Sequence, residues 1–159
     1  MTIIITEAAE ETKRIAANLA KEVKKQRLFP PKADQPQAEK HALVVALEGN
    51  LGSGKTTFIQ GLASGLGVKE KVLSPTFLIL KQFPIALKNY KNFYHIDAYR
   101  LKNSAEILEL GFKDLIKNPE NIIIIEWADR IKKLLLKNIF WIKFDNLGGD
   151  RRKIIFHTT

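Results

Sequence analysis

Residues 46–58 read ALEGNLGSGKTTF, and an apolar run, Leu43–Leu47, leads into them. Gly49, Gly52 and Gly54 are followed at once by Lys55, Thr56 and Thr57. The stretch Gly49-Asn50-Leu51-Gly52-Ser53-Gly54-Lys55-Thr56 matches G-x-x-x-x-G-K-[ST] in full. Average residue usage produces that pattern by chance in roughly one chain of this length in a few hundred. Each position has a physical task. Gly49 and Gly54 open backbone angles closed to other residues. The loop can then turn its N–H groups inward around an anion. A helix starting near Lys55 adds the positive end of its dipole. The Lys55 ammonium is a point charge for the β- and γ-phosphates. The Thr56 hydroxyl is an oxygen ligand for the Mg²⁺ that accompanies a nucleoside triphosphate.

Working outward, Ala42–Leu47 is expected to be a buried strand and TTFIQGLASGLG a helix that stops at Gly65 or Gly67. Residues 3–5 are III, a first strand, with Thr6 as the cap of the helix after it. In that helix Ile15, Leu19 and Val23 recur every four residues beside Ala8, Ala16 and Ala20. The proline-containing stretch 29–41 reads as a loop, too short to divide two domains. Val72–Leu73 and Thr76–Phe83 are expected to be extended around Ser74-Pro75, because proline drives the residue before it out of helical geometry. NFYHIDAYRL (92–101) reads as a strand ending near Asp97. Asn103 and Glu106 form a capping-box pattern for a short helix closed by Gly111, and FKDLI is a further helical turn. NIIIIEW (121–127) is the clearest buried strand, and DRIKKLLL a helix after it. Phe140–Phe144 and Lys153–Phe156 are the arms of a terminal hairpin turned by GGD. Strands alternating with helices predict an α/β three-layer sandwich of the P-loop NTPase kind, with a mainly parallel sheet and an antiparallel C-terminal hairpin.

A chain of 159 residues is expected to form one domain, residues 1–159. It has no cysteine, which excludes disulfides, thiolate metal sites and thiol nucleophiles and suits a reducing cytoplasm. The start, MTIIITEAAEETK, lacks the basic and long apolar parts of a secretory signal. No run approaches the roughly 18 apolar residues of a membrane span. The net charge of +9 draws attention to nucleic acid, but the excess is mostly scattered lysine.

Mg²⁺ at a P-loop needs an acidic group on a neighbouring strand. Glu126 closes IIIIE at the carboxyl edge of a strand, and the competing reading is an acid that favours the start of the next helix. Asp97 is a second candidate, or alternatively the partner of Arg100 in an ion pair. Ser74-Pro75-Thr76 is a hydroxyl-rich turn able to sense a γ-phosphate if it lies at the sheet edge. Trp127 and His95 read as packing residues, although His95 shares Asp97's side of any strand.

Taken in order, GNLGSGKTTF, SPTF, YHIDAYRL, ELGF and IIEW resemble the bacterial TsaE (YjeE) family, from about residue 6 to the C-terminus. ETKRIA and GGDRRKIIF are also similar to that family. The resemblance implies a P-loop α/β fold, Mg²⁺-dependent ATP binding and slow ATP hydrolysis. It implies work with TsaD and TsaB, which place threonylcarbamoyl on adenosine 37 of tRNAs reading ANN codons, so that tRNA is met indirectly through the complex and no membrane is involved. By motif, Gly49 to Thr57 hold the nucleotide, Lys55 and Thr56 serve phosphate and metal, and Glu126 is the second metal ligand. Asp97 is an essential acid near the γ-phosphate, Ser74 and Thr76 belong to a switch-like loop, Trp127 accompanies Glu126, and the segment around Gly149 to Arg151 approaches the adenine. The 29–41 loop is longer than the family's usual link. Two other classes fit parts of the sequence: a small-molecule P-loop kinase, which needs an acceptor pocket and an arginine-bearing lid, and a basic nucleic-acid-binding module.

Overall fold

The computed structural model describes residues 1–25, 41–75, 78–137 and 139–157. A seven-stranded sheet runs through it. Its strands are β1 (Thr2–Thr6), β2 (Leu43–Gly49), β3 (Leu80–Pro84), β4 (Asn92–Asp97), β5 (Asn121–Glu126), β6 (Phe140–Asn146) and β7 (Arg152–His157). Their order across the sheet is β1-β7-β6-β2-β5-β4-β3. The central neighbours β6, β2, β5 and β4 are parallel. The antiparallel pairs lie outside them: β3 on β4, and the β6–β7 hairpin followed by β1.

The helices are α1 (Ala9–Lys24), α2 (Lys55–Leu66), α3 (Ser104–Glu109) and α4 (Phe112–Lys117), and Ala128–Leu134 forms a 3₁₀ turn. They cover both faces of the parallel centre, so its strands are apolar on both sides. All six residues of β5 are buried. Ile122 and Ile124 face α1 and α2 in company with Val45, Leu47, Ile142 and Phe144. Ile123 and Ile125 face α3, α4 and the 3₁₀ turn with Val44, Ala46 and Ile96. Each isoleucine so placed contributes about 1.5–3 kcal/mol relative to an exposed one. This is the predicted three-layer arrangement.

Helices α1 and α2 meet along a seam of small residues. A Cβ added to Gly61 would lie 2.6 Å from the Lys13 Cα, and one added to Gly65 would lie 2.6 Å from the Ala20 Cβ. Such backbone approach needs glycine on α2, facing the Lys13 main chain at Gly61 and Ala17 and Ala20 at Gly65.

Several local expectations change. Thr6 belongs to β1 and does not cap α1; its hydroxyl is buried against that of Thr12 at 2.9 Å. The N-cap is Ala8, and the first turn is closed instead by the Glu7 N–H donating to Glu11 at 2.7 Å. Val72–Leu73 is not a strand, although Val72 is buried. Among the described residues the second extended segment enters the sheet as Leu80–Pro84. DRIKKLLL makes 3₁₀ geometry with non-helical angles at Ile131, because burying Ala128 and Ile131 in so short a connection overrides the α-helical spacing. Asn103 does cap α3, accepting from Ala105 and Glu106 N–H at 2.9 and 3.3 Å. The proline-containing stretch up to residue 40 lies outside the described residues.

Candidate nucleotide site

Three parallel strands end side by side. Leu47 of β2 is paired with Glu126 of β5, and Asp97 of β4 is paired with the same Glu126. The P-loop leaves β2 at Gly49 and enters α2 at Lys55. Asp97, Glu126 and the loop therefore share the carboxyl edge of the sheet, where α/β sheets bind ligands.

Gly49 has φ of 149°, and a Cβ there would lie 2.5 Å from the Phe144 carbonyl oxygen of β6 and 2.8 Å from Ser53 Oγ. Strand β6 thus presses on the start of the loop and holds its turn. Asn50 and Leu51 form the exposed tip beside Gly52. Ser53 is buried beneath them. Gly54 is left-handed and caps α2, whose first turn carries Lys55, Thr56 and the half-buried Thr57.

Lys55 is buried, and its ammonium donates to the carbonyls of Gly49 (2.6 Å) and Asn50 (3.0 Å) and to Ser53 Oγ (3.4 Å). It also lies 4.2 Å from the centre of the Trp127 ring. Burial pulls its pKa below the ordinary lysine value; the charges of Glu126, Asp97 and Asp129 work the other way without cancelling the effect. Trp127 has φ of 57°, a conformation rare for a residue of its size. Its ring packs against Tyr99 at 4.9 Å. Arg130 in turn donates to the Tyr99 carbonyl. This stack places the indole over Lys55, a role the residue type does not reveal.

The Thr56 hydroxyl donates to the Glu126 carboxylate, 3.1 Å to Oε2 and 3.3 Å to Oε1. Glu126 is itself 3% exposed. A hydroxyl and a carboxylate brought together are hard oxygen donors of the kind Mg²⁺ takes. Among the described residues no group of three His, Cys, Asp or Glu could hold a metal by itself. The pair therefore suits an ion whose other ligands are phosphate oxygens and water.

Asp97 Oδ1 accepts from the Tyr99 N–H at 2.9 Å, and Oδ2 accepts from Ser74 Oγ at 3.1 Å. The turn after Val72 is thus tied to the sheet edge through Ser74. Thr76, its expected companion, lies outside the described residues.

Two further side chains join the site, one read as packing and one not singled out in the sequence. His95 Nε2 is 2.8 Å from Glu126 Oε1, with both side chains buried. Its alternation with Asp97 along β4 was the available signal, but register with β5 decides the contact. Arg152, at the start of β7, lies against Gly54; its Cγ is 3.4 Å from where a Cβ would sit. Its guanidinium donates to the carbonyls of Gly149 (2.6 Å) and Arg151 (2.8 Å) and to Asn146 Oδ1 (3.3 Å). The hairpin turn is thereby held beside the P-loop.

Comparison with known proteins places the chain among relatives of one family. The chain is 38% identical over 113 residues to the tRNA threonylcarbamoyladenosine biosynthesis protein TsaE of Bacillus subtilis, covering 71% of this chain and 68% of that protein. It is 33% identical over 151 residues to the TsaE protein of Rickettsia felis, covering 94% of this chain and 76% of that one. The crystal structure of Bacillus subtilis YdiB superposes with a TM-score of 0.66 at 30% identity, over 98% of this chain and 83% of that one. Among the described residues no helix is long and apolar enough to cross a membrane. A family model described as threonylcarbamoyl adenosine biosynthesis protein TsaE matches residues 6–154, and the chain belongs to that family.

Proposed function

We propose that this protein, a single domain, binds ATP with Mg²⁺ and hydrolyses it slowly, as the ATPase that serves threonylcarbamoyl modification of adenosine 37 in tRNAs reading ANN codons. The observation that carries the reading is the convergence of Lys55, Thr56 and Glu126 beneath one glycine loop. A cytoplasmic setting with TsaD and TsaB as partners follows from the family rather than from any contact on this surface.

In this reading Gly49 to Thr57 hold the triphosphate. The Lys55 ammonium, now on loop carbonyls, turns to the β- and γ-phosphates, whose charge outcompetes neutral oxygens. Thr56 and Glu126 hold the metal, which when bound draws charge from the bridging oxygen of the triphosphate. Asp97, fixed by Ser74 and the Tyr99 N–H, orients the attacking water. The phosphate loop itself contains no arginine. An arginine supplied to the γ-phosphate contributes about 10³–10⁵ to turnover, so hydrolysis by the isolated chain is slow and partners accelerate it.

The test is ATP turnover by the wild type, Lys55→Ala, Asp97→Ala and Glu126→Ala, each alone and with TsaB and TsaD. Slow wild-type turnover that rises with partners and falls in all three variants is expected. Partner-independent turnover on the order of several per second, or variants as active as the wild type, contradicts the proposal.

A further inference from the structure

His95 occupies a position that apolar packing alone would fill with a phenylalanine or leucine. Its exposure is 0%, its neighbours along β4 include Phe93 and Ile96, and it is paired across to Ile124 of β5. A polar ring in such surroundings is costly unless it is hydrogen-bonded. Among the described residues Nδ1 has no partner, so the whole polar function of the ring is spent at Nε2. That atom lies 2.8 Å from Glu126 Oε1. The tautomer with its proton on Nε2 donates to the carboxylate, whereas the other tautomer would set a lone pair against it.

The bond divides the labour of the Glu126 carboxylate. Oε1 is taken by His95, and its contact with Thr56 is the longer of the two at 3.3 Å. Oε2, at 3.1 Å from the Thr56 hydroxyl, is left toward the P-loop. The β5 end is also held at the main chain, where the Glu126 carbonyl accepts from Ala98 N–H at 3.0 Å. The side chain has its remaining rotation fixed by His95.

We infer that His95 is a positioning residue, holding Glu126 in the orientation from which it and Thr56 serve the Mg²⁺ of the bound nucleotide. It touches neither nucleotide nor metal. The inference rests on the assignment of Glu126 to Mg²⁺ made above. Partners of this type, standing behind a ligand, typically change metal affinity by about 10–100-fold when removed.

The experiment is calorimetric binding of adenylyl imidodiphosphate at stepped Mg²⁺ concentrations and in EDTA. The chains are wild type, His95→Leu, His95→Asn and His95→Gln, with thermal unfolding recorded for each. Gln can place its amide nitrogen near the position of Nε2; Asn falls short of Glu126. In His95→Leu and His95→Asn the Mg²⁺ concentration for half-maximal binding rises about 10-fold or more, while affinity in EDTA stays within about twofold of wild type. In His95→Gln the Mg²⁺ requirement returns to within about threefold. Should His95→Leu fail to fold, the Asn and Gln pair decides. Equal Mg²⁺ requirements in those two, or an equal loss with and without Mg²⁺, overturn the positioning role. A wild type whose nucleotide binding ignores Mg²⁺ overturns the metal assignment itself, and the positioning role with it.

Discussion

Replacing Gly49 and Gly52 separately by alanine distinguishes two reasons for glycine in one loop. Both have positive φ, 149° and 74°. A side chain held there costs about 1–3 kcal/mol in strain. The surroundings differ. The Gly49 Cβ would meet the Phe144 carbonyl at 2.5 Å and Phe144 Cβ at 3.0 Å, and Gly49 is paired with Phe144 in the sheet. Nothing lies within 4 Å of a Cβ on Gly52. Neither strand can yield without disturbing a buried sheet, so Gly49→Ala adds an overpacking cost of about 1–3 kcal/mol. We expect Gly52→Ala to lose about 1–3 kcal/mol and Gly49→Ala about 2–6 kcal/mol. For a domain of this size a 2 kcal/mol difference between the variants separates their melting points by about 4–8 °C. Urea and thermal unfolding of the nucleotide-free proteins measure this directly. Equal losses in the two variants would refute the claim that β6 sets the geometry of the loop.

Lys55→Met removes a buried charge but keeps most of the side chain's length. Its thermal stability without nucleotide should equal or exceed that of the wild type, while the stabilisation caused by Mg·ATP disappears in a melting assay. Burial depresses the Lys55 pKa, so the folded chain gives up this proton at lower pH than the unfolded one. The unfolded state binds more protons between that lowered value and 10.5, and stability from this group rises with pH across the window. Nucleotide affinity, which needs the ammonium, falls over the same window; titration calorimetry at increasing pH, with Lys55→Met as the control lacking this dependence, checks both signs. Gly61→Ala pushes a methyl into the Lys13 main chain across the α1–α2 seam. It should cost about 1–3 kcal/mol in urea unfolding, with nucleotide affinity little changed in protein that remains folded.

Much of the architecture was legible because local chemistry and global packing agree. Ile122–Ile125 can only be a strand buried on both sides, and such strands require helices on both faces. The glycine–lysine–threonine spacing requires a strand before it and a helix after it, and both are present. Where expectation failed, a neighbour had outbid a local preference. Thr6 has the chemistry of a cap but pairs with Arg152 in the sheet and bonds Thr12 instead. Ala128–Leu134 has helical spacing but is bent by its two buried residues into a 3₁₀ turn.

The site divides in the same way. By itself the sequence marked the phosphate loop with its lysine and threonine by their spacing, and it placed Glu126 and Asp97 at strand ends with a competing reading for each that only the family resemblance narrowed. Only the tertiary structure decided which atoms meet. Glu126 faces Thr56 and His95 because β2, β4 and β5 are parallel neighbours in one register. Trp127 lies over Lys55 because its backbone takes a left-handed turn after β5. Arg152 reaches Gly54 because the terminal hairpin is laid beside β2. These contacts join residues far apart in the chain, and pairing at that distance is set by strand order, which no local spacing encodes.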